Sequence, residues 1–130
     1  YLVVQRVDGL AAGIYRYSGL QHQLVLVKLG EDFSAKLAET MQSFVGDSAV
    51  IFIWTVVPYR NEWRYSFFSA REVAMDIGHY CENLYLAAES IGAGTCGIAA
   101  FEQSFVDELL EVDGENEFTI YIAPVGKIEN

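Results

Sequence analysis

The stretch Gly94-Thr95-Cys96-Gly97-Ile98-Ala99-Ala100-Phe101 concentrates small residues. Small side chains let the main chain come close to a neighbour. Two uses fit the run: a tight connection between a helix and a strand, or a place where fixed main-chain N–H groups meet a bound group. Donors of that kind hold their geometry and never titrate. A second stretch, Trp63-Arg64-Tyr65, sets a permanent cation beside a phenol. Arginine cannot act as a base, but it can bind an anion or polarise a carbonyl. The plainer reading is a solvent-facing Arg64 beside a packed aromatic, and the residues alone leave both open.

Other chemistry-bearing residues point to structure. Asp76 and His79 stand one helical turn apart, yet a two-metal helical site needs a second such pair, and His22 lies near a strand. A helix histidine with its own hydrogen bond is therefore expected, and no metal. Cys81 and Cys96 form no CxxC pair and no disulfide framework, and no cation or resolving thiol adjoins Cys96 in sequence. For Arg71, an ion pair with Glu72, Asp76 or a partner carboxylate is the plain expectation. Lys127, after Pro124-Val125-Gly126, is one basic residue near the chain end.

The elements that must position these groups follow from apolar patterning. Residues 1–5, 14–17 and 24–29 read as strands separated by Asp8-Gly9, Gly13 and Ser18-Gly19, as in an antiparallel meander. Asp32 can cap a helix to about Ser43, with Phe33, Leu37, Met41 and Phe44 at helical spacing. Residues 49–57 form a continuous apolar run that suits a central strand buried on both faces, ended by Pro58. Residues 59–66 are polar and aromatic and read as an excursion over a site. A long helix follows from Ser69 to about Ile91, with Val73, Ile77, Tyr80, Leu84, Ala87, Ala88 and Ile91 inward. It carries few charges for its length, so a core or a second subunit should bury it on most sides. Gly92-Ala93-Gly94 caps it. Then come the apolar segment 95–100, a short helix over 104–111 with Leu109 and Leu110 inward, a turn at Asp113-Gly114, and a last strand over 118–125.

With 130 residues, 52% hydrophobic and 20% charged, the chain can build one real core. The net charge of −10 with scattered cations argues against nucleic acid. The apolar runs are too short to span a bilayer, so a cytoplasmic protein away from membranes is the default expectation. No internal repeat, linker or nucleotide-binding glycine fingerprint occurs.

Several segments taken in order resemble one family. They are residues 1–4, residues 7–17 (Val7-Asp8-Gly9 through Gly13-Ile14-Tyr15-Arg16-Tyr17), Ala70-Arg71-Glu72, Asp76-Ile77-Gly78-His79, residues 82–89, residues 91–101 and Pro124-Val125-Gly126. Their order and spacing are similar to the FMN-dependent nitroreductase family, in the branch of SagB-type azoline (thiazole/oxazole) dehydrogenases. No single motif is diagnostic; the ordered set is the specific signal, and it runs over nearly the whole chain.

The resemblance implies an α+β, three-layer α/β/α fold with a mainly antiparallel central sheet. Residues 1–130 would be one domain, the C-terminal part of a fuller one whose N-terminal segment lies upstream; the start at Tyr1, inside an apolar run, agrees. It implies FMN at the interface of an intertwined homodimer or a tandem-domain pair, with the 69–91 helix against the partner. Gly97, Ile98, Ala99 and Ala100 would line the flavin, the amides of Ala99 and Ala100 meeting N5 and the neighbouring carbonyl. Lys127 would meet the phosphate. Arg64 and Tyr65 match a catalytic Lys-Tyr pair of the azoline-oxidising members, and the change to Arg64 puts azoline oxidation in doubt here. The family's other common helix arginine is Phe68 in this chain. The family's Arg-rich segment and Pro-Ser-Ala-Gly-type loop are absent, so a fuller protein or a partner would supply those groups. The function implied is hydride transfer through flavin N5 to or from a small-molecule or peptide heterocycle, with NAD(P)H as one candidate donor. The alternative is a silent copy of the fold serving dimerisation or substrate docking.

Overall fold

A computed structural model describes residues 1–128. Its centre is a six-stranded sheet, all neighbours antiparallel, in the order β3-β2-β1-β4-β6-β5. The strands are β1 (Leu2–Val4), β2 (Gly13–Ser18), β3 (Gln23–Leu29), β4 (Val50–Val56), β5 (Ala93–Thr95) and β6 (Phe118–Lys127). The helices are α1 (Phe33–Thr40), α2 (Tyr59–Tyr65), α3 (Ser69–Ser90) and α4 (Gln103–Leu110), with 3-10 turns at Ser43–Asp47 and Ser66–Phe68.

The alternation of side chains along β4 sorts the molecule into layers. Ile51 and Ile53 point to one face and are fully buried with Val3, Ile14 and Ile122. Phe33 and Leu37 of α1 and Val106 and Leu110 of α4 close over them. Burying each such side chain stabilises the fold by about 1.5–3 kcal/mol. Phe52 and Trp54 point to the other face, where Leu84 and Ala88 of α3 pack against Val50, Phe52, Ala93 and Val125. That face is only partly covered, and Phe52 and Trp54 stay half-buried. The expectation of a strand buried on both faces is corrected to one buried and one half-covered face.

Two further expectations change, and one left open is filled in. Asp32 stands at the α1 N-cap without a side-chain cap bond. Its carboxylate is drawn to the Lys36 ammonium at 2.7 Å, and that bond holds its pKa below the usual carboxylate range. The helix is shorter than expected, so Phe44 falls in the 3-10 turn and is exposed. The excursion over 59–66 is largely helical.

Within α3 only Ser69, Cys81 and Ala88 are buried. Val73, Ile77 and Leu84 are half-buried along the same stripe, whereas Tyr80, Ala87 and the capping Ile91 are exposed. The sheet reaches one side of this 22-residue helix, so its own chain does not cover the rest. The helix ends through Gly92, whose φ of 68° suits a residue without Cβ.

Asp107 ties α4 to the sheet. Its buried carboxylate accepts the Thr119 amide at 2.6 Å and the Gln103 amide group at 3.3 Å. Asp113 builds the turn before β6 by accepting the amides of Glu115, Asn116 and Glu117 at 3.0, 2.7 and 3.0 Å.

Candidate functional site

The small-residue run is placed by β6. β5 pairs with it so that Ala93 faces Lys127 and Thr95 faces Val125. Past Thr95 the ladder breaks, and a single two-way bridge then fixes Ile98 to Ile122, with N···O distances of 2.7 and 3.2 Å. Ile98 is buried in the core beneath this bridge. Between the two anchors, Cys96 and Gly97 bow outward. The Gly97 amide donates to the Tyr85 hydroxyl of α3 at 2.9 Å.

A Cβ at Gly97 would run into the Tyr121 hydroxyl and would stand 3.1 Å from the Cys81 sulfur. This glycine is thus required by packing against Tyr121 and α3, the first of the two uses the sequence left open. Ala99 and Ala100 differ. Both are exposed, and among the described residues neither amide has a backbone or side-chain acceptor. Held by the Ile98 bridge on one side and by the start of α4 on the other, they are two consecutive donors free to meet something outside the chain.

Gly97, Ile98, Ala99 and Ala100 are therefore brought together, though the amides of Gly97 and Ile98 are already engaged inside the protein. Lys127 stands apart from them. The span of β6 from Ile122 to Lys127 is roughly 17 Å at about 3.4 Å per residue. Lys127 does line a hollow of about 310 Å³ that reaches back along β5 to Cys96, with Ser48 and Asp47 on its wall. Arg6, which the sequence did not single out, bonds the carbonyls of Asp47 and Ser48 and so brings a second cation near that wall.

Arg64 and Tyr65 lie on exposed faces of α2, with the guanidinium carbon 5.7 Å from the phenol ring centre. Neither lines the larger cavities. One turn earlier Arg60 does line one, a cavity of about 580 Å³ between α3 and the open face of the sheet. Arg71 stacks on Phe68 at 4.9 Å, and among the described residues it pairs with no carboxylate. His79 is bonded to the Met75 carbonyl at 2.7 Å, as a satisfied helix histidine should be. Among the described residues no group of three or more His, Cys, Asp or Glu is arranged to hold a metal. No described helix is long and apolar enough to cross a membrane.

The cluster around Gly97 carries two shifted groups. Burial first, then charge neighbours, pushes the Cys81 thiol up, with the Tyr121 hydroxyl partly opposing. Burial likewise pushes the Tyr121 phenol up, helped by Cys81 and Tyr85. Both stay protonated at neutral pH, so this side of the loop is a neutral wall. Sequence reasoning missed Tyr85 and Tyr121, because only the fold reveals that a helix and a strand meet at Gly97.

Comparison with known proteins follows this architecture. The nitroreductase family model matches residues 1–127. A Methanocaldococcus jannaschii protein carrying the nitroreductase name is 29% identical over 98% of this chain, which spans 63% of that relative's length. A crystal structure from Anabaena variabilis, also under the nitroreductase name, superposes with a TM-score of 0.90 at 28% identity, covering 98% of this chain and 26% of that one. The E. coli microcin synthetase complex with a truncated precursor bound superposes with a TM-score of 0.85 at 18% identity, over 99% of this chain and 51% of that one. The last shows shared fold alone.

Proposed function

The chain belongs to the nitroreductase family, and on that premise we propose that it is the flavin-facing part of an FMN-dependent oxidoreductase. The observation that carries this reading is the pair of exposed residues Ala99 and Ala100, whose amides have no acceptor among the described residues. Bound FMN would supply hydride chemistry at N5, and main-chain donors beside the ring would stabilise the charge that this chemistry brings. Two rigid main-chain donors would do so without a proton equilibrium of their own. These residues fit the ring edge of the cofactor, and Lys127 would serve its phosphate, with Arg6 a second cation near the same wall.

This chain's part would be to hold and orient. Ile98 would fix the depth of the loop from the core, Tyr85 would fix its height through Gly97, and the Tyr121 side would stay neutral. Arg64 would anchor an anionic or carbonyl-bearing substrate beside Tyr65, since a guanidinium keeps its proton. The substrate class is a small-molecule or peptide heterocycle, with a nicotinamide as one electron source. The exposed apolar side of α3 would meet a second copy or a tandem domain; Leu86 there is 62% exposed and Phe67, just before the helix, 90%.

A second reading, a silent copy of the fold acting in dimerisation or substrate docking, gains from one observation. Asp47 shares the hollow with Lys127, which is poor company for a phosphate. Titration of the protein with FMN decides between them. The proposed enzyme quenches flavin fluorescence to saturation and carries a visible flavin spectrum after gel filtration. A colourless protein that takes up no FMN contradicts it and leaves the silent copy.

A further inference from the structure

The cavity of about 580 Å³ between α3 and the half-covered sheet face is absorbed by neither the amide pair nor Lys127. Its size falls among ligand sites, which run about 300–1,000 Å³. Phe52 and Trp54 lie along one wall with their ring centres 6.5 Å apart and their planes inclined by 30°. Tyr80 of α3 faces them across the cavity. Such walls suit a flat aromatic body.

The charged groups of the lining are Arg16, Arg60 and Glu117, so the cavity carries a net +1 in a chain whose formal charge is −10. The two guanidiniums come from different elements, β2 and α2, and both also line an adjoining hollow with Glu111, Asp113 and Glu117. Among the described residues neither is ion-paired; Arg16 lies 5.8 Å over the Tyr1 ring. Glu117 is occupied, accepting the Thr55 hydroxyl at 2.7 Å. Both guanidinium forks are therefore left without a carboxylate partner among the described residues, and such forks match a carboxylate.

We propose that this cavity binds a planar aromatic carboxylate, its ring against Phe52 and Trp54 and its charge between Arg16 and Arg60. The site stands apart from the flavin reading, because its lining shares no residue with the Gly97–Ala100 run.

The test uses 2-naphthoate, with 2-naphthylmethanol as a neutral ring of similar shape, in isothermal titration calorimetry. The expected result is a single site that prefers the carboxylate by about tenfold, as a charge-assisted bond would give. R16Q/R60Q should remove that preference and leave the alcohol unchanged. Both arginines are exposed, so folding should survive, with circular dichroism as the check. E117Q supplies an effect of opposite sign: it should tighten 2-naphthoate and not the alcohol, since glutamine still accepts from Thr55. The proposal is overturned if the protein binds neither compound, if the alcohol binds as tightly as the carboxylate, or if R16Q/R60Q binds 2-naphthoate like the wild type.

Discussion

The Tyr85 hydroxyl accepts the Gly97 amide at 2.9 Å, and this bond latches the long helix to the bowed segment before Ala99 and Ala100. It converts a helix position into control over where two free amides stand. Tyr85→Phe should cost about 0.5–1.5 kcal/mol of stability, the net worth of one hydrogen bond. Hydrogen exchange should then speed up over residues 96–101 and leave β4 and β6 unchanged. Uniform loosening across the sheet would instead mean that Tyr85 acts through packing.

Gly97→Ala tests the same junction from the other side. The added methyl meets the Tyr121 hydroxyl and the Cys81 sulfur, and both belong to packed elements that give little. Overpacking of this kind costs about 1–3 kcal/mol, read as a lower midpoint in urea with an unchanged slope.

Ile51 and Ile122 form the centre of the core, each with no exposed surface. Ile51→Ala should destabilise by about 2–5 kcal/mol, the range for emptying a fully packed site. A loss below that range in denaturant unfolding would mean the two faces collapse together more readily than this packing implies.

Asp113 gives a pH dependence of definite sign. Backbone amides, with Glu117 first, and the Asn116 side chain hold its carboxyl far below the usual carboxylate range. Its contribution is complete above the unfolded value of about 3.9 and is lost as pH falls toward the lower folded value. A carbon NMR titration should find Asp113 still ionised where ordinary aspartates are protonated. Asp113→Asn should flatten the acid limb of stability, and an unaltered limb would refute the role.

The two thiols should differ. Cys81 is buried with its pKa pushed up, whereas Cys96 is exposed. Iodoacetamide at neutral pH should label Cys96 first, followed by mass spectrometry, and Cys81 only on unfolding. Equal rates would mean that α3 lifts readily from the sheet.

The strands β1, β2, β3, β4 and β6 and the helices α1, α3 and α4 were legible because each carries its own apolar period or run. β5 was not, since three residues with two small ones show no alternation and pair only because β6 runs past them. α2 was hidden because its polar and aromatic residues carry no helical stripe; no residue of it is buried. α3 read as an almost wholly buried helix because its composition is apolar, while burial depends on what lies alongside. For the site, the small-residue run was visible, but its division of labour was not. Gly97 answers to Tyr121 and Ile98 to Ile122, while the amides of Ala99 and Ala100 have no acceptor among the described residues, and these are long-range relations. The same limit explains why the sequence pointed to Arg64, while the fold brings Arg60 to a cavity.

The most direct test of the flavin reading is a nitrogen–proton correlation spectrum of labelled protein as FMN is added. The amides of Ala99 and Ala100 should move downfield together and saturate with the flavin signal, while the bridged Ile98 amide moves little. Flavin binding that leaves those two resonances in place would contradict the account.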